Sequence, residues 1–189
     1  MSLIPLGFWA ASGGGGGGAA FDLLETQTLA SSATSVTFSG LDTLAAGYKH
    51  LQIRAVMQST DTRTSARDFM IRLNGDTGSN YAYHNLYGDG SSVTSQWASS
   101  QSAIFNREAY ADSGNTNVYG GAVLDILDFS NTSKNTTTRV LLGVNAAGKT
   151  IISLGSGLWN NTNAVTSIEL KPNIGSVNTG SRFSLIGVK

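Results

Sequence analysis

The chain has 189 residues, of which 23 are glycine and none is cysteine, and charged side chains make up only 13% of it. Basic and acidic residues balance at 12 each, so no cationic excess is available to neutralise the phosphates of nucleic acids or anionic lipids. The lack of cysteine excludes disulfides, thiolate nucleophiles and cysteine-based metal sites. The remaining composition, 40% hydrophobic, suits one globular domain that does not bind nucleic acid.

Residues 1–20 differ in composition from the rest of the chain. They contain a cluster of large apolar side chains followed by six glycines at 13–18, and the candidate anchor residues in this cluster are Ile4, Leu6, Phe8 and Trp9. Polyglycine has the greatest backbone freedom and is typical of a flexible linker. Burying each large apolar side chain contributes about 1.5–3 kcal/mol, which favours contact with a partner chain over a free disordered tail. We therefore predict an extended glycine-rich arm whose four candidate residues anchor the protein.

The same segment is a poor match for a targeting or membrane sequence. It has no basic leader, and Pro5 and Gly7 interrupt its apolar run. Elsewhere, no stretch approaches the roughly 18 consecutive apolar residues of a membrane span. We expect neither a secretion signal nor membrane insertion.

From residue 21 to residue 189 the apolar residues recur with a period of two, which indicates half-buried strands. Clusters of glycine, asparagine and aspartate separate the strands and are typical of turns. No window resembles an amphipathic helix of three turns. We predict a head domain over 21–189, an all-β antiparallel sandwich of eight to ten strands with jelly-roll connections. The clearest alternating segments are 36–39, 51–57, 69–73, 122–126, 168–170 and 183–185.

Residues 143–150 match the phosphate-binding loop pattern, with Lys149 and Thr150 at its end. In a nucleotide site this loop opens a helix, whose N-terminal amides hold the phosphates. Residues 151–157 contain two isoleucines and two glycines, which are poor helix formers. We therefore interpret the segment as a β-hairpin turn.

Neither histidines nor carboxylates form a pattern that indicates catalysis. His50 and His84 are the two histidines, too few for a metal site unless an aspartate joins them. The aspartates in glycine-containing turns are explained by their tolerance of left-handed backbone and by turn capping. No serine lies in a nucleophile elbow. We predict no catalytic residue, no metal and no cofactor. The aspartates considered are Asp68, Asp76, Asp89, Asp112, Asp125 and Asp128.

Five aromatic residues are candidates for a receptor or interface surface, because tyrosine and tryptophan beside small polar residues are common on glycan-binding and interface surfaces. Packing in the core or between subunits is the alternative, and the sequence leaves both open. The five are Tyr81, Tyr83, Tyr87, Trp97 and Trp159.

Several segments together resemble a group of small virion structural proteins of tailed bacteriophages. The resemblance covers nearly all of residues 21–189, and the apolar glycine-rich arm is similar too. It brings no catalytic residues with it. The segments are LLET at 23–26, YKHLQIR at 48–54, LNGDTGSNYAYH at 73–84, SGLW at 156–159, IELKP at 168–172 and GSRFSL at 180–185.

This resemblance implies a non-enzymatic protein on the exterior of the phage particle, assembled in the cytoplasm of the bacterial host. The expected role is a component of a tail fibre, tail tip or head fibre, whose arm docks on a portal, tail or capsid subunit. A capsid decoration (cement) protein is the alternative, and a glycan-active enzyme is a lower one. A homo-oligomer is expected, with a trimer as first expectation, and a fibre version would bind a host surface glycan.

Overall fold

The structure is a computed structural model that describes residues 20–62, 67–146 and 149–189. The predicted anchor residues Ile4, Leu6, Phe8 and Trp9 and the glycines at 13–18 lie outside these described residues. Their role therefore stays a prediction, as does the division into an arm and a head domain.

The described residues form twelve strands and one short helix. The helix has four residues, so the described part of the chain contains no helix long enough to cross a membrane. The elements are β1 (Phe21–Thr28), β2 (Val36–Ser39), α1 (Leu41–Leu44), β3 (His50–Ser59), β4 (Arg67–Leu73), β5 (Tyr81–Gly88), β6 (Val93–Gln101), β7 (Ile104–Asp112), β8 (Gly120–Leu127), β9 (Thr136–Ala146), β10 (Lys149–Trp159), β11 (Ser167–Pro172) and β12 (Arg182–Val188).

The strands form two packed sheets. The large sheet has the order β1-β12-β3-β8-β9-β10-β5-β6, and the small sheet has the order β2-β11-β4-β7. Neighbours within each sheet are antiparallel, while a short parallel pairing at Gln58–Ala111 joins β3 to β7 and links the sheets at one corner. The predicted all-β sandwich is confirmed.

The connections explain why the sheets differ in size. Along β1-β2-β3-β4 and β7-β8, successive strands alternate between the two sheets, so β1-β12-β3-β8 faces β2-β11-β4-β7 in jelly-roll order. The hairpins β5-β6 and β9-β10 are additions to these eight strands, and both extend the large sheet. The prediction of eight to ten strands was therefore too low.

The core lies between the sheets and follows the predicted alternation. On the large sheet the inward residues include Leu51, Ile53 and Phe183, and on the small sheet they include Ile71 and Leu170. All five have no exposed surface. Because a strand places alternate side chains on opposite faces, the residues next to these in sequence lie on the outer faces.

Where β7 crosses the extension of the large sheet, two glycines of β10 allow the close approach. A Cβ atom added to Gly157 would lie 2.5 Å from Oγ1 of Thr138 and 2.7 Å from the side chain of Ile104. One added to Gly155 would lie 2.5 Å from Oδ1 of Asn106. Real Cβ atoms are not found at such distances, so these two positions have no room for a side chain.

The segment that matches a phosphate-binding loop is part of a hairpin. Strands β9 and β10 pair continuously from Thr136 opposite Trp159 to Ala146 opposite Lys149. Residues after Lys149 are therefore strand, and the helix that a nucleotide site needs is not formed. The hairpin interpretation is confirmed.

Candidate docking surface on the outer sheet face

Neither histidine belongs to a cluster of potential metal ligands in the described part of the chain. Nδ1 of His50 accepts a hydrogen bond from the backbone N–H of Asp128 at 2.9 Å, which connects the start of β3 to the residue after β8. His84 is exposed on β5, directly opposite Trp97 of β6. Within residues 20–62, 67–146 and 149–189, no group of three or more histidine, aspartate or glutamate side chains is arranged to hold a metal.

Asp76 accepts a hydrogen bond from a buried tryptophan and so holds its indole in place. Its Oδ2 accepts hydrogen bonds from Nε1 of Trp159 at 2.7 Å and from Nδ2 of Asn80 at 2.9 Å, and its Oδ1 accepts one from the N–H of Gly78 at 2.8 Å. These donors, the indole of Trp159 first, hold the pKa of Asp76 below its ordinary value. A carboxylate held in its ionised form has the opposite property to that of a general acid.

Other carboxylates also form hydrogen bonds or ion pairs with residues close to them in sequence. Asp89 accepts hydrogen bonds from the N–H groups of Ser91 and Ser92, which lower its pKa far below the ordinary value. The ammonium of Lys134 donates to Asp128 and lowers the pKa of that carboxyl. Each of these aspartates caps a turn or closes an ion pair beside it, as expected from the turn composition.

Asp125 and Asp68 are also engaged. Asp125 accepts a hydrogen bond from Nε of Arg139 at 2.7 Å and another from Nε2 of Gln52 at 2.9 Å. Asp68 forms an ion pair with Arg107, with 3.6 Å between Oδ1 and the guanidinium nitrogen. The described carboxylates named as candidates therefore have structural partners and do not converge on one site.

The five aromatic candidates do not form a common surface. Tyr81 and Trp159 are each 1% exposed and their rings stack at 6.5 Å, so these two do not contribute to the predicted receptor or interface surface. They belong to the core because β5 and β10 turn these positions inward, and the hydroxyl of Tyr81 donates to the backbone oxygen of Leu73. Core packing, the alternative interpretation, is correct for this pair.

The three remaining aromatics divide between the two faces. Tyr83 and Tyr87 are half-buried on the inner side, where Tyr83 packs against Phe105 at 5.8 Å and the guanidinium of Arg107 lies 5.3 Å from the ring of Tyr87. Trp97 is 73% exposed on the outer side. Of the five, Trp97 alone is presented for contact with another molecule.

The outer face of the large sheet carries a row of exposed apolar side chains that the alternating pattern of the sequence does not predict. Val123, Leu141, Leu154 and Leu86 follow one another in register across β8, β9, β10 and β5. Their exposed fractions run from 37% for Val123 to 55% for Leu154. Folded monomers rarely leave large contiguous apolar patches in water, so this row indicates an interaction surface.

The next row in register contains a groove with a glycine floor. Across β3, β8, β9 and β10 the row reads Val56, Gly121, Gly143 and Ile152, so two adjacent glycines lie between two branched side chains. The groove has a volume of about 980 Å³ and extends towards β1, where Leu23 lines it. We call this feature the outer groove.

The floor glycines are not required by packing from within. A Cβ atom added to Gly121 would lie 4.0 Å from the backbone oxygen of Ala55, and one added to Gly143 would lie 3.5 Å from that of Ile151. Both are ordinary contacts. Neither glycine has a positive φ. The outer groove therefore exists because glycine stands at two positions where a larger residue would also fit.

In the sequence, this surface is indicated by two continuous runs of apolar residues. At 140–142 and 151–152 both faces of the strand carry apolar side chains, as in strands covered on both sides. Alternation alone assigns one face to solvent, so it does not identify a second covered face. The pairing of distant strands then brings these outward residues together.

Comparison with protein-family models and with curated proteins finds no match to this chain. Its function is therefore inferred from the geometry of the outer face and from the residue patterns of the sequence.

Proposed function

We propose that this chain is a non-enzymatic structural protein of a bacteriophage virion, located on the particle exterior as a tail-fibre, tail-tip or head-fibre component. The β-sandwich head is held by the N-terminal arm, which docks on a neighbouring virion subunit through Ile4, Leu6, Phe8 and Trp9. The observation that carries this proposal is the exposed apolar outer face of the large sheet, because such faces serve association between proteins.

The chemistry of that face favours assembly over catalysis. The described residues that line the outer groove include two arginines, Arg54 and Arg182, but no carboxylate and no histidine. Glycoside hydrolysis uses a pair of carboxyl groups, one of them with a raised pKa. The aspartates Asp76, Asp89 and Asp128 instead have lowered pKa values. These features support a binding role.

One observation supports recognition of a host glycan as a second role. Trp97 exposes most of its indole on β6, the last strand of the large sheet, and indole faces are suited to stacking against other molecules. A fibre component would present this edge to the host. A decoration protein, the alternative, would use the same exposed tryptophan between subunits.

The arm is tested by particle incorporation of the full chain. In the double variant Phe8→Ser/Trp9→Ser, the loss of two buried aromatic contacts is expected to lower the copy number per particle at least about tenfold. The matched control is Ala10→Ser/Ala11→Ser in the same arm, which should incorporate normally. Quantitative mass spectrometry of purified particles gives the copy number. Normal incorporation of the serine double variant at Phe8 and Trp9 would contradict the anchor.

The location and assembly state are tested on the same material. Electron cryomicroscopy of the particles distinguishes a fibre or tail tip from a capsid lattice, and the solution mass of the purified chain tests the expected trimer. Binding of the purified chain to host cells supports glycan recognition. Loss of particle stability with normal adsorption, after the arm variant, supports decoration instead.

A further inference from the structure

The outer groove is an apolar surface without a partner among the described residues, and the same chain supplies a segment that matches it. We propose that residues 3–9 of the N-terminal arm occupy the outer groove of their own head domain before the arm is taken by a virion partner. This inference goes beyond the proposed function and rests on it only in treating residues 3–9 as a binding segment.

The chemistry of segment and groove is complementary. Residues 1–20 contain no charged side chain, and residues 3–9 include five large apolar ones. The groove walls are Val56, Val123, Leu141 and Ile152. Its volume of about 980 Å³ is at the upper end of the roughly 300–1,000 Å³ typical of ligand pockets, so it has room for several side chains.

The glycine floor gives the groove its fit to aromatic rings. A flat strand face covered by leucine side chains would offer only a shallow contact, whereas Gly121 and Gly143 let a ring reach the backbone. Arg54 and Arg182 line the same groove. Guanidinium groups pack favourably on the faces of tryptophan and phenylalanine, as Trp9 and Phe8 provide.

The start of β1 lies within reach of the groove. Leu141 is four strand spacings from β1, about 19 Å at ~4.8 Å each. It shares a register row with Thr26, five residues along β1 from Phe21, or about 16 Å. The distance from Phe21 to Leu141, which lines the groove, is therefore about 25 Å.

The chain between Trp9 and Phe21 is long enough to span the distance from Phe21 to Leu141. From Trp9 to Phe21 the chain takes twelve residue steps, which span about 40 Å when extended. For glycine-rich chain the root-mean-square length of twelve residues is about 19 Å. A linker whose average length is close to the span gives a near-maximal effective concentration, in the millimolar range. Docking on the same head is therefore favoured over docking on a second copy.

The first residues of β1 also lie on the outer face of the large sheet. Phe21 and Leu23 are both exposed on the outer side, and Leu23 lines the groove. The backbone oxygen of Ala20 accepts a hydrogen bond from the N–H of Lys189, so the chain is still paired to the sheet edge there. The last described residues before the arm therefore lie at the edge of the sheet face that carries the groove.

Disulfide trapping in the full chain tests the inference, because the natural chain has no cysteine. Ala10→Cys places one thiol next to Trp9, and Asn145→Cys places the other at the groove, where Asn145 is exposed. The control pair combines Ala10→Cys with Thr37→Cys. Thr37 is exposed on the small sheet, and its backbone oxygen accepts a hydrogen bond from Gln27 of β1, so the arm can reach it.

We expect the groove pair to form an intramolecular disulfide at least about tenfold faster than the control pair at low protein concentration. Adding Phe8→Ser/Trp9→Ser, or filling the floor with Gly121→Gln, should reduce the rate to that of the control. The added Cβ at Gly121 meets no atom closer than 4.0 Å and the position is exposed, so we expect this variant to fold. Thermal unfolding of each variant verifies that it does.

Equal rates for the two pairs overturn the inference. Disulfide-linked dimers as the main product also overturn it, because they place the arm on a second copy. If Asn145→Cys does not fold, Thr150→Cys repeats the measurement from the neighbouring strand of the groove. Particle incorporation that depends on Phe8 and Trp9, with no preference in trapping, would refute groove docking and leave the proposed function intact.

Discussion

The two faces of the large sheet use glycine in opposite ways. On the inner face, Gly155 and Gly157 are required because β7 occupies the space in which a side chain would lie. On the outer face, Gly121 and Gly143 have free space above them and produce the outer groove. A glycine within a strand can therefore mark a close approach inside the fold, as at Gly155 and Gly157, or leave open space above the sheet, as at Gly121 and Gly143.

The largest expected difference between the faces is that between two tryptophans. Trp159→Ala removes a side chain that is 1% exposed and should lower the free energy of unfolding by about 3–5 kcal/mol. Trp97→Ala removes one that is 73% exposed and should change it by less than about 0.5 kcal/mol. Urea denaturation measures both. Comparable losses for the two variants would show that Trp97 itself is covered in the free protein.

A smaller difference is expected between the two kinds of glycine. Gly157→Ala forces a Cβ against Thr138 and Ile104, so the free energy of unfolding should fall by about 1–3 kcal/mol. Gly143→Ala adds only an ordinary contact and should be neutral or stabilising by up to about 1 kcal/mol, because the unfolded chain loses freedom. Thermal denaturation of the pair provides the measurement. A stable Gly157→Ala protein would be incompatible with tight packing of β7.

The smallest expected effect is on the pH dependence of folding stability, through Asp76 and its hydrogen bond with Trp159. The pKa of Asp76 is lowered in the folded protein, chiefly by the indole N–H of Trp159, so the ionised form stabilises the fold. That contribution is complete above the ordinary pKa of 3.8 and is lost as the pH falls below it.

We therefore expect the urea midpoint of the natural protein to fall below about pH 4. In Asp76→Asn this fall should be shallower. Thr77→Ala, in the same exposed turn, is the control and should keep the natural slope. Identical pH profiles for the natural protein and Asp76→Asn would mean that Asp76 does not support Trp159.

Much of the sandwich follows from local sequence. Leu51 and Ile53, or Ile71 and Leu73, alternate with polar neighbours, and a strand with one buried face requires that alternation. The hairpin at 143–150 was equally predictable, since residues after Lys149 are poor helix formers. These features depend only on neighbours in the chain.

The outer groove depends on strands that are distant in sequence. Val56, Gly121, Gly143 and Ile152 share one row only because β3, β8, β9 and β10 are neighbours in the sheet. The alternation of each strand contains no information about its partners. For the same reason the aromatic residues of β5 were open to two interpretations, since either face of that strand could have been the inner one.

The pairing of β1 with β12, which connects Phe21 with Val188, has a consequence for the order of folding. The first strand has no partner in the large sheet until residues 182–188 have been synthesised, so the sheet edge beside the arm is completed last during translation. Contacts between such distant segments slow folding, because a long loop must close before they form. On the ribosome, residues 1–20 therefore emerge long before this sheet edge is complete, and chaperones have that interval in which to bind them.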